Sequence, residues 1–533
     1  MNTPDYIFET SWEVCNRVGG IYAVLSTRAA SMQKEHPDKV FFFGPDFGTH
    51  SDLYFKEDKK LLQQWISTIN SQLSIRIGRW MVPGQPIAIL LRADSLWAQK
   101  DQIYAWAWEK FGVRSHAAYG DYDESCLFGY AAGMVMESLY HYLTGENGQT
   151  AKRSNSKAIK QQAAPAVVAH ANEWQTAFSV FYLRDHCPKI GTLFTTHATG
   201  IGRSIAGNGK PLYDYFEGYH GDQMAEELNM VSKHSVEKMA AHWADCFTTV
   251  SDITAKECAQ LLDKPVDIVT PNGFEPDFVP RGKAFITARA AARATLISTA
   301  EKLLDTRLSD NSLLLCIAGR QEWKNKGIDV FLRSMERLGD KLYHAPATPA
   351  SILRNAPNEV IAFVLVPYLD KPVMRFGKVT VVFVPYYLNG QMATDERPKP
   401  LAGKTYYDLL AGMDLTVFPS YYEPWGYTPL ESIAFHVPTI TTDVAGFGAW
   451  ALQEGVTGLK DGVAVIHRTD SNFDQVVDEV ALNILRFMQQ PDENIVAARK
   501  AATALAKKAE WHNFFKYYHK AYDIALSKSI NRE

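Results

Sequence analysis

LLLCIAGRQEWKNKGIDVFL, residues 313–332, carries the reading on which the fold turns. The continuous apolar run at its start has strand length and no polar face, which predicts a strand covered on both sides, as in parallel sheets. A glycine closes the strand and a polar, cationic loop follows. Beyond it Ile328, Phe331, Leu332 and Met335 keep helical spacing, so one face of the next helix is buried. Strand, loop and helix in that order are the repeating piece of a doubly wound α/β domain. Arg320 and Lys326 then stand together at the carboxyl end of the strand. Such cations suit a diphosphate, Arg through forked hydrogen bonds and Lys as a point charge. From this segment alone, two solvated surface cations fit equally well.

The same rhythm runs through the rest of the chain. VIAFVLVP (360–367), VTVVFVP (379–385), LTVFPS (415–420), PTITTD (438–443) and GVAVI (462–466) predict further strands of the second half. In the first half YIF near the start, KVFFFGP (39–45), PIAILL (86–91), AVVAH (166–170), TLFTTH (192–197) and CFTTVS (246–251) do the same. Between the halves VTPNGFEPDFVPRG (269–282), dense in Pro, Gly and Asn, reads as a hinge. The fold class is therefore α/β, with two doubly wound Rossmann-like domains facing a cleft. The expected division is residues 1–274, 275–508, and a tail 509–533 packing back on the first domain. Within that tail Phe514, Phe515, Tyr518, Tyr522 and Leu526 form one helical stripe, a core-packing pattern. Ligands of open α/β sheets bind at strand carboxyl ends, here inside the expected cleft.

Composition excludes several classes. At 533 residues the chain exceeds one core, and a net charge of -4 without a basic run argues against nucleic acid as a partner. Asp5 and Glu9 stand where a signal peptide would carry positive charge. No apolar run approaches the ~20 residues of a membrane span. The six scattered cysteines form no C-x-x-C pair and read as free thiols, so a cytoplasmic protein is expected.

The candidate chemistry lies at loop ends. Arg17, Gly19 and Gly20 open a helix after the first strand, where glycines and free amides let an anion approach, although any tight turn uses such a pair. His170 and His197 end strands, and Glu173 follows the first of them. Such histidines can bond hydroxyl groups, but a satisfied core histidine is the commoner case. Asp121 and Asp123 lie in the polar stretch SHAAYGDYDES, with no strand leading in, and read as a structural or helix-capping loop without metal. In YYEPWGYTPLE (421–431), Thr428, Pro429 and Glu431 match a capping box, so Glu431 has a structural reading as its own helix's cap. Glu423 has none, because it precedes a proline in a loop at a strand's carboxyl end.

Taken together, ETSWEVCNRVGGIYAVLSTRA, LFTTHATGIGR, FTTVSDITAKE, IAGRQEWKNKG, VFPSYYEPWGYTPLE and TTDVAGFG resemble, in order, glycogen synthases of the fungal and animal type. The resemblance implies a retaining, metal-independent glucosyltransferase of the GT-B architecture, moving glucose from UDP-glucose to the non-reducing 4-hydroxyl of an α-1,4-glucan such as glycogen. It implies Glu423 as the catalytic carboxylate, Arg320 and Lys326 on the diphosphate, His197 on the glucose, and Glu173 toward the acceptor. For the donor it implies Glu431 on the ribose and Tyr406 on the uracil, with Tyr422, Gly426, Tyr427 and Thr428 around them and Arg17, Gly19 and Gly20 closing from the first domain. No cofactor is implied.

Three departures from that pattern are expected to matter. The segment between 367 and 379 is short where the relatives carry a helical insertion that builds a tetramer, which leaves the oligomeric state, a homo-oligomer included, open. Arg499 stands alone where they carry an arginine cluster, so weak or absent activation by glucose 6-phosphate is expected. The phosphorylated tails are missing, as in a compact bacterial form. Alternatives are a related enzyme using ADP-glucose or a small sugar-phosphate acceptor, and a glycan-binding protein with a dead site.

Overall fold

The apolar runs form the strands of two separate sheets in the computed structural model, which describes residues 2–67, 69, 73–145, 164–344, 359–391 and 399–532. The first sheet contains β1 (Tyr6–Thr10), β2 (Val40–Pro45), β3 (Phe55–Glu57), β4 (Ser74–Trp80), β5 (Ile87–Arg92), β6 (Val167–Asn172), β7 (Gly191–Thr196), β8 (Cys246–Thr249) and β9 (Ile268–Val269). Its spatial order is β3-β4-β5-β2-β1-β6-β7-β8-β9. The second contains β10 (Leu313–Ala318), β11 (Val360–Leu365), β12 (Met374–Phe376), β13 (Val379–Phe383), β14 (Leu415–Val417), β15 (Thr439–Thr442) and β16 (Val463–Ile466), ordered β12-β13-β11-β10-β14-β15-β16. In each, the first strand sits inside the sheet. The chain adds strands on one side of it and then crosses to the other, so the order reverses beside β1 and beside β10. Both sheets are doubly wound, and the α/β reading holds.

The runs that the hydrophobic pattern predicts are the parallel strands. Those it does not reveal lie at the sheet edges or next to them. In β4 exposed and buried residues mix, β3 and β12 have three residues each, and all three pair antiparallel. β9 has two residues. A half-wet edge strand lacks the continuous apolar signal of a central one.

The tail is two helices, Asp492–Lys508 and Trp511–Ile530, with the break at Ala509 and Glu510. Trp511, Phe514, Phe515, Tyr518, Tyr522 and Leu526 are all buried, and the second helix packs along β6, β7, β8 and β9. Contacts divide the chain into one unit of Met1–Ile205, Tyr215–Gly273 and Trp511–Glu533, and another of Ala206–Asp214 and Phe274–Glu510. The contiguous boundaries read from the sequence leave out the excursion Ala206–Asp214. It belongs to the second unit because the Asp470 carboxylate accepts the amides of Leu212, Tyr213 and Asp214. No helix among the described residues is long and apolar enough to cross a membrane. All six cysteines are unpaired and buried.

A buried ion pair ties the first unit together. Glu9 on β1 pairs with Arg28 of the helix Gly20–Glu35, and both side chains are sealed from solvent. The guanidinium lies 4.3 Å from the Tyr518 ring centroid and 5.7 Å from that of Trp511. Burial pushes the Glu9 carboxyl up, and Arg28 and the Asn172 amide pull it back. Arg28→Met leaves Glu9 without its cation and is expected to cost about 3–5 kcal/mol, whereas Glu9→Gln with Arg28→Met should cost much less. Urea unfolding of the two variants checks this. Equal losses would show that the pair is not a coupled unit.

Candidate functional site

In the second unit two strand-end loops come together after β10 and β14. The Asn325 carbonyl accepts the amides of Tyr421 (2.9 Å) and Tyr422 (3.2 Å), which binds one loop to the other along the backbone. Gly327, at φ 69°, lies so close to Pro419 that a Cβ would overlap its carbonyl oxygen. Only glycine fits there, both for space and for the left-handed backbone. The result sets Lys326 against Glu423, and the two form an ion pair with about a fifth of each side chain exposed. Arg320 turns instead to Glu322, at 2.7 Å, and is largely exposed. The structure thus brings Lys326 to Glu423 and leaves Arg320 as a solvent-facing cation at the end of β10.

The far side of the 421–431 loop is pinned as well. Gly446 N donates to the Glu423 carbonyl at 3.0 Å and Phe447 N to that of Trp425 at 2.7 Å. The Tyr421 hydroxyl bonds Asp470 and accepts the Leu212 amide. Tyr422 and Gly426 are buried, Tyr427 and Thr428 partly so.

The capping box is corrected. The helix runs Tyr427–Ala434, Gly426 precedes it at φ 108°, and no side chain caps it. Thr428 lies inside the helix, and Glu431 points elsewhere, accepting a 2.6 Å bond from the Tyr407 hydroxyl. The Tyr407 ring stacks on Phe435 at 5.4 Å, which orients that hydroxyl. Burial pushes the Glu431 carboxyl up to about 7, opposed by the Tyr407 bond. Tyr406 opens the short helix Tyr406–Leu410, half-buried, with Thr405 and Asp408 forming a capping box there.

In the first unit, the anion at the helix start Gly19–Gly20 is the protein's own. The Glu13 carboxylate accepts the amides of Gly19 (2.7 Å) and Tyr22 (2.9 Å). Arg17 is exposed, 5.7 Å from the Tyr22 ring centroid. His170 is a core histidine: its Nε2 bonds Thr195 Oγ1 at 2.7 Å, its Nδ1 lies 3.3 Å from Glu9 Oε1, and burial keeps it neutral. His197 differs, sitting at the end of β7 with Nε2 3.0 Å from Asn172 Oδ1. Burial lowers it to about 3, so its ring is neutral as well. Its amide donates to Glu173 Oε1 at 2.8 Å. Glu173 holds φ 67°, a strained backbone for a residue with a Cβ, which structures retain mostly at functional positions. Burial, then the nearby Glu237, pushes its carboxyl up to about 8. Asp121 immediately precedes the helix Tyr122–Thr144 and pairs with Lys233. Asp123 lies in its first turn, bonded by Lys100 and Tyr104. Among the described residues no cluster of three or more His, Cys, Asp or Glu is placed to hold a metal ion.

Sequence reasoning did not find Glu13, Asn325, Gly327, Tyr407 or Asp470. A signal existed for Gly327, a glycine closing a cationic loop just before a helix. None existed for a backbone carbonyl such as that of Asn325.

The family model for glycogen synthase matches residues 9–377 and 372–532. The chain is 24% identical to human liver glycogen [starch] synthase, over 98% of this chain and 84% of that protein. It is 26% identical to glycogen [starch] synthase isoform 2 of Saccharomyces cerevisiae, over 98% and 86%. The catalytic domain of starch synthase IV from Arabidopsis thaliana, bound to ADP and acarbose, superposes with a TM-score of 0.57 at 14% identity, covering 98% of this chain and 99% of that one. Sucrose-phosphate synthase from Thermosynechococcus elongatus gives 0.52 at 15%, covering 98% and 99%. The structural likeness shows the fold, which is GT-B.

Raised carboxyl groups give stability a definite pH dependence. Between about 4.5 and about 7, folded Glu431 keeps a proton that the unfolded chain has lost, so stability falls as pH rises through that window and levels above it. Glu173 extends the decline to about 8. Glu431→Gln should flatten its share of the slope, and Tyr407→Phe should move the Glu431 midpoint upward. Unfolding free energies from pH 4.5 to 8.5, with carboxyl NMR titration of Glu431, check both. A Glu431 midpoint near 4.5 in the folded protein would contradict the assignment.

Proposed function

Because this chain belongs to the glycogen synthase family, we propose that it transfers glucose from UDP-glucose to the non-reducing 4-hydroxyl of an α-1,4-glucan, with retention of configuration and without a metal. The observation that carries this reading is the Lys326–Glu423 pair on two locked strand-end loops, followed by a helix that holds the buried Glu431.

Each side chain has work in that reaction. Breaking the bond between glucose and the diphosphate moves negative charge onto the leaving UDP. Lys326, with Arg320 at the start of the same loop after β10, stabilises that charge, which is commonly a large part of catalysis. Glu423 lies beside the transferred glucose, where its carboxylate answers the positive charge that grows on the sugar. Glu431 accepts the ribose hydroxyls, Tyr406 stacks on the uracil, and Tyr422, Gly426, Tyr427 and Thr428 shape the donor site. The positive end of the Tyr427–Ala434 helix dipole favours phosphate oxygens. In the first unit, neutral His197 and the strained Glu173 offer acceptors and donors suited to sugar hydroxyls, for the glucose and for the acceptor chain. A bond from ribose to Glu431 is strongest when the carboxyl is ionised, so donor affinity should rise as pH climbs through about 7.

Arg499 is turned inward, 3.2 Å from Asp414 and bonded to the His436 and Met413 carbonyls. This supports a weak or absent response to glucose 6-phosphate. The enzyme works in the cytoplasm, on glycogen or a related α-1,4-glucan.

The test is glucose incorporation into glycogen from UDP-glucose and from ADP-glucose, with EDTA and with or without glucose 6-phosphate. Transfer from UDP-glucose that survives EDTA is expected. No transfer from either donor would end the synthase reading, and preference for ADP-glucose would change the donor. Glu423→Gln should lower kcat at least about 100-fold and leave UDP affinity nearly unchanged. Lost UDP binding in that variant would reassign Glu423 to the donor site.

A further inference from the structure

Asn172 ends β6, sealed to 1% exposure, with β1 on one side and β7 on the other. Its amide nitrogen donates to Glu9 Oε1 at 3.0 Å and to the Thr10 carbonyl at 3.2 Å, both on β1. Those two bonds take both amide hydrogens. Oδ1 is left facing the end of β7, 3.0 Å from His197 Nε2.

The amide cannot be turned over. A flip would set Oδ1 against the Thr10 carbonyl, which only accepts, and against the Glu9 carboxyl that is already paired with Arg28. An amide oxygen has no hydrogen to give, so the proton in the Asn172–His197 bond belongs to His197 Nε2. Burial, then the nearby His170 and Arg28, keep the His197 ring neutral. A neutral imidazole protonated on Nε2 has a bare Nδ1. No described residue bonds that nitrogen, and His197 keeps 9% of its surface open.

The His197 main chain has a tether of its own. Its amide donates to Glu173 Oε1, and the Glu173 amide donates to the Thr195 carbonyl at 2.9 Å. Glu173 therefore fixes the backbone and Asn172 the ring. The far end of this chain of bonds is the Glu9–Arg28 pair, with the guanidinium against the Tyr518 ring. The orientation of one amide is thus anchored in the buried ion pair that ties the first unit together.

We propose that Asn172 is a positioning residue that holds His197 as its Nε2–H tautomer, so that Nδ1 acts only as an acceptor for a glucose hydroxyl of the donor. That hydroxyl must then give its hydrogen to His197 and keeps its own lone pairs for other partners. The opposite tautomer would present an N–H there and force the hydroxyl to turn round. The glucose partner of Nδ1 rests on the role of His197 in the proposed function, whereas the tautomer rests on Asn172 alone.

Nitrogen NMR of protein carrying labelled histidine, with His197 assigned by its absence in His197→Gln, reads the tautomer directly. The unmodified protein should show Nε2 protonated and Nδ1 bare. The Nδ1 signal should move on adding UDP-glucose and stay in place on adding UDP, which carries no glucose. Asn172→Ala frees the ring, so both tautomers should become populated. Its kcat/KM for UDP-glucose should fall about three- to tenfold, the worth of one hydrogen bond to a neutral hydroxyl, with UDP affinity unchanged. Asn172→Asp again sets an oxygen against Nε2 and should keep the Nε2–H tautomer and most of the rate. Nδ1 protonated in the unmodified protein, or indifferent to UDP-glucose in an enzyme that transfers glucose, overturns the inference. So does an Asn172→Ala protein with a lowered melting temperature and an unchanged tautomer, because Asn172 is then structural alone. If the tautomer holds in a protein that transfers no glucose, the lock stands and its glucose partner falls with the synthase reading.

Discussion

The chemistry of the second unit depends on one backbone arrangement: the Asn325 carbonyl taking the amides of Tyr421 and Tyr422, while Gly327 lies against Pro419. Neighbouring strands of a sheet stand only ~4.8 Å apart, but their loops are free to diverge. Here they cannot. Two main-chain bonds and one position without a Cβ hold the loop after β10 against the loop after β14, and Lys326 meets Glu423 as a consequence. The backbone sets the geometry, and the pair reports it.

Around this lock the environments of the acids diverge. Glu423 faces a cation and keeps contact with solvent. Glu431, eight residues on, is buried against a tyrosine hydroxyl and titrates near neutrality. Two carboxylates eight residues apart therefore sit in different surroundings, one in a loop against a cation and one inside the helix that follows it. The same contrast appears in the first unit, where His170 is locked in the core and His197 stands at a strand end beside the strained Glu173.

Much of this was legible in the residues themselves. Central parallel strands announce themselves as unbroken apolar runs, and a carboxylate before a proline at a strand end has few structural excuses. What escaped is non-local or belongs to the main chain. Thr428, Pro429 and Glu431 carry the local signature of a capping box, but a hydroxyl 24 residues upstream claims the glutamate. The Gly19–Gly20 turn looks like an open anion site, yet Glu13 already sits on its amides. Strands β3, β4 and β12, at or next to the sheet edges, are too short or too polar to show the period that betrays their neighbours.

The helix Trp511–Ile530 lays the last residues of the chain along β6–β9, with Arg28 and Glu9 beneath its aromatic face. A ribosome builds the chain from the other end, at ~5–20 residues per second. The first unit therefore cannot finish its core when its own sheet has emerged. It must wait through the synthesis of more than two hundred residues of the second unit, with an apolar sheet face uncovered. For this topology the vulnerable moment falls during translation, while that face waits for its helix.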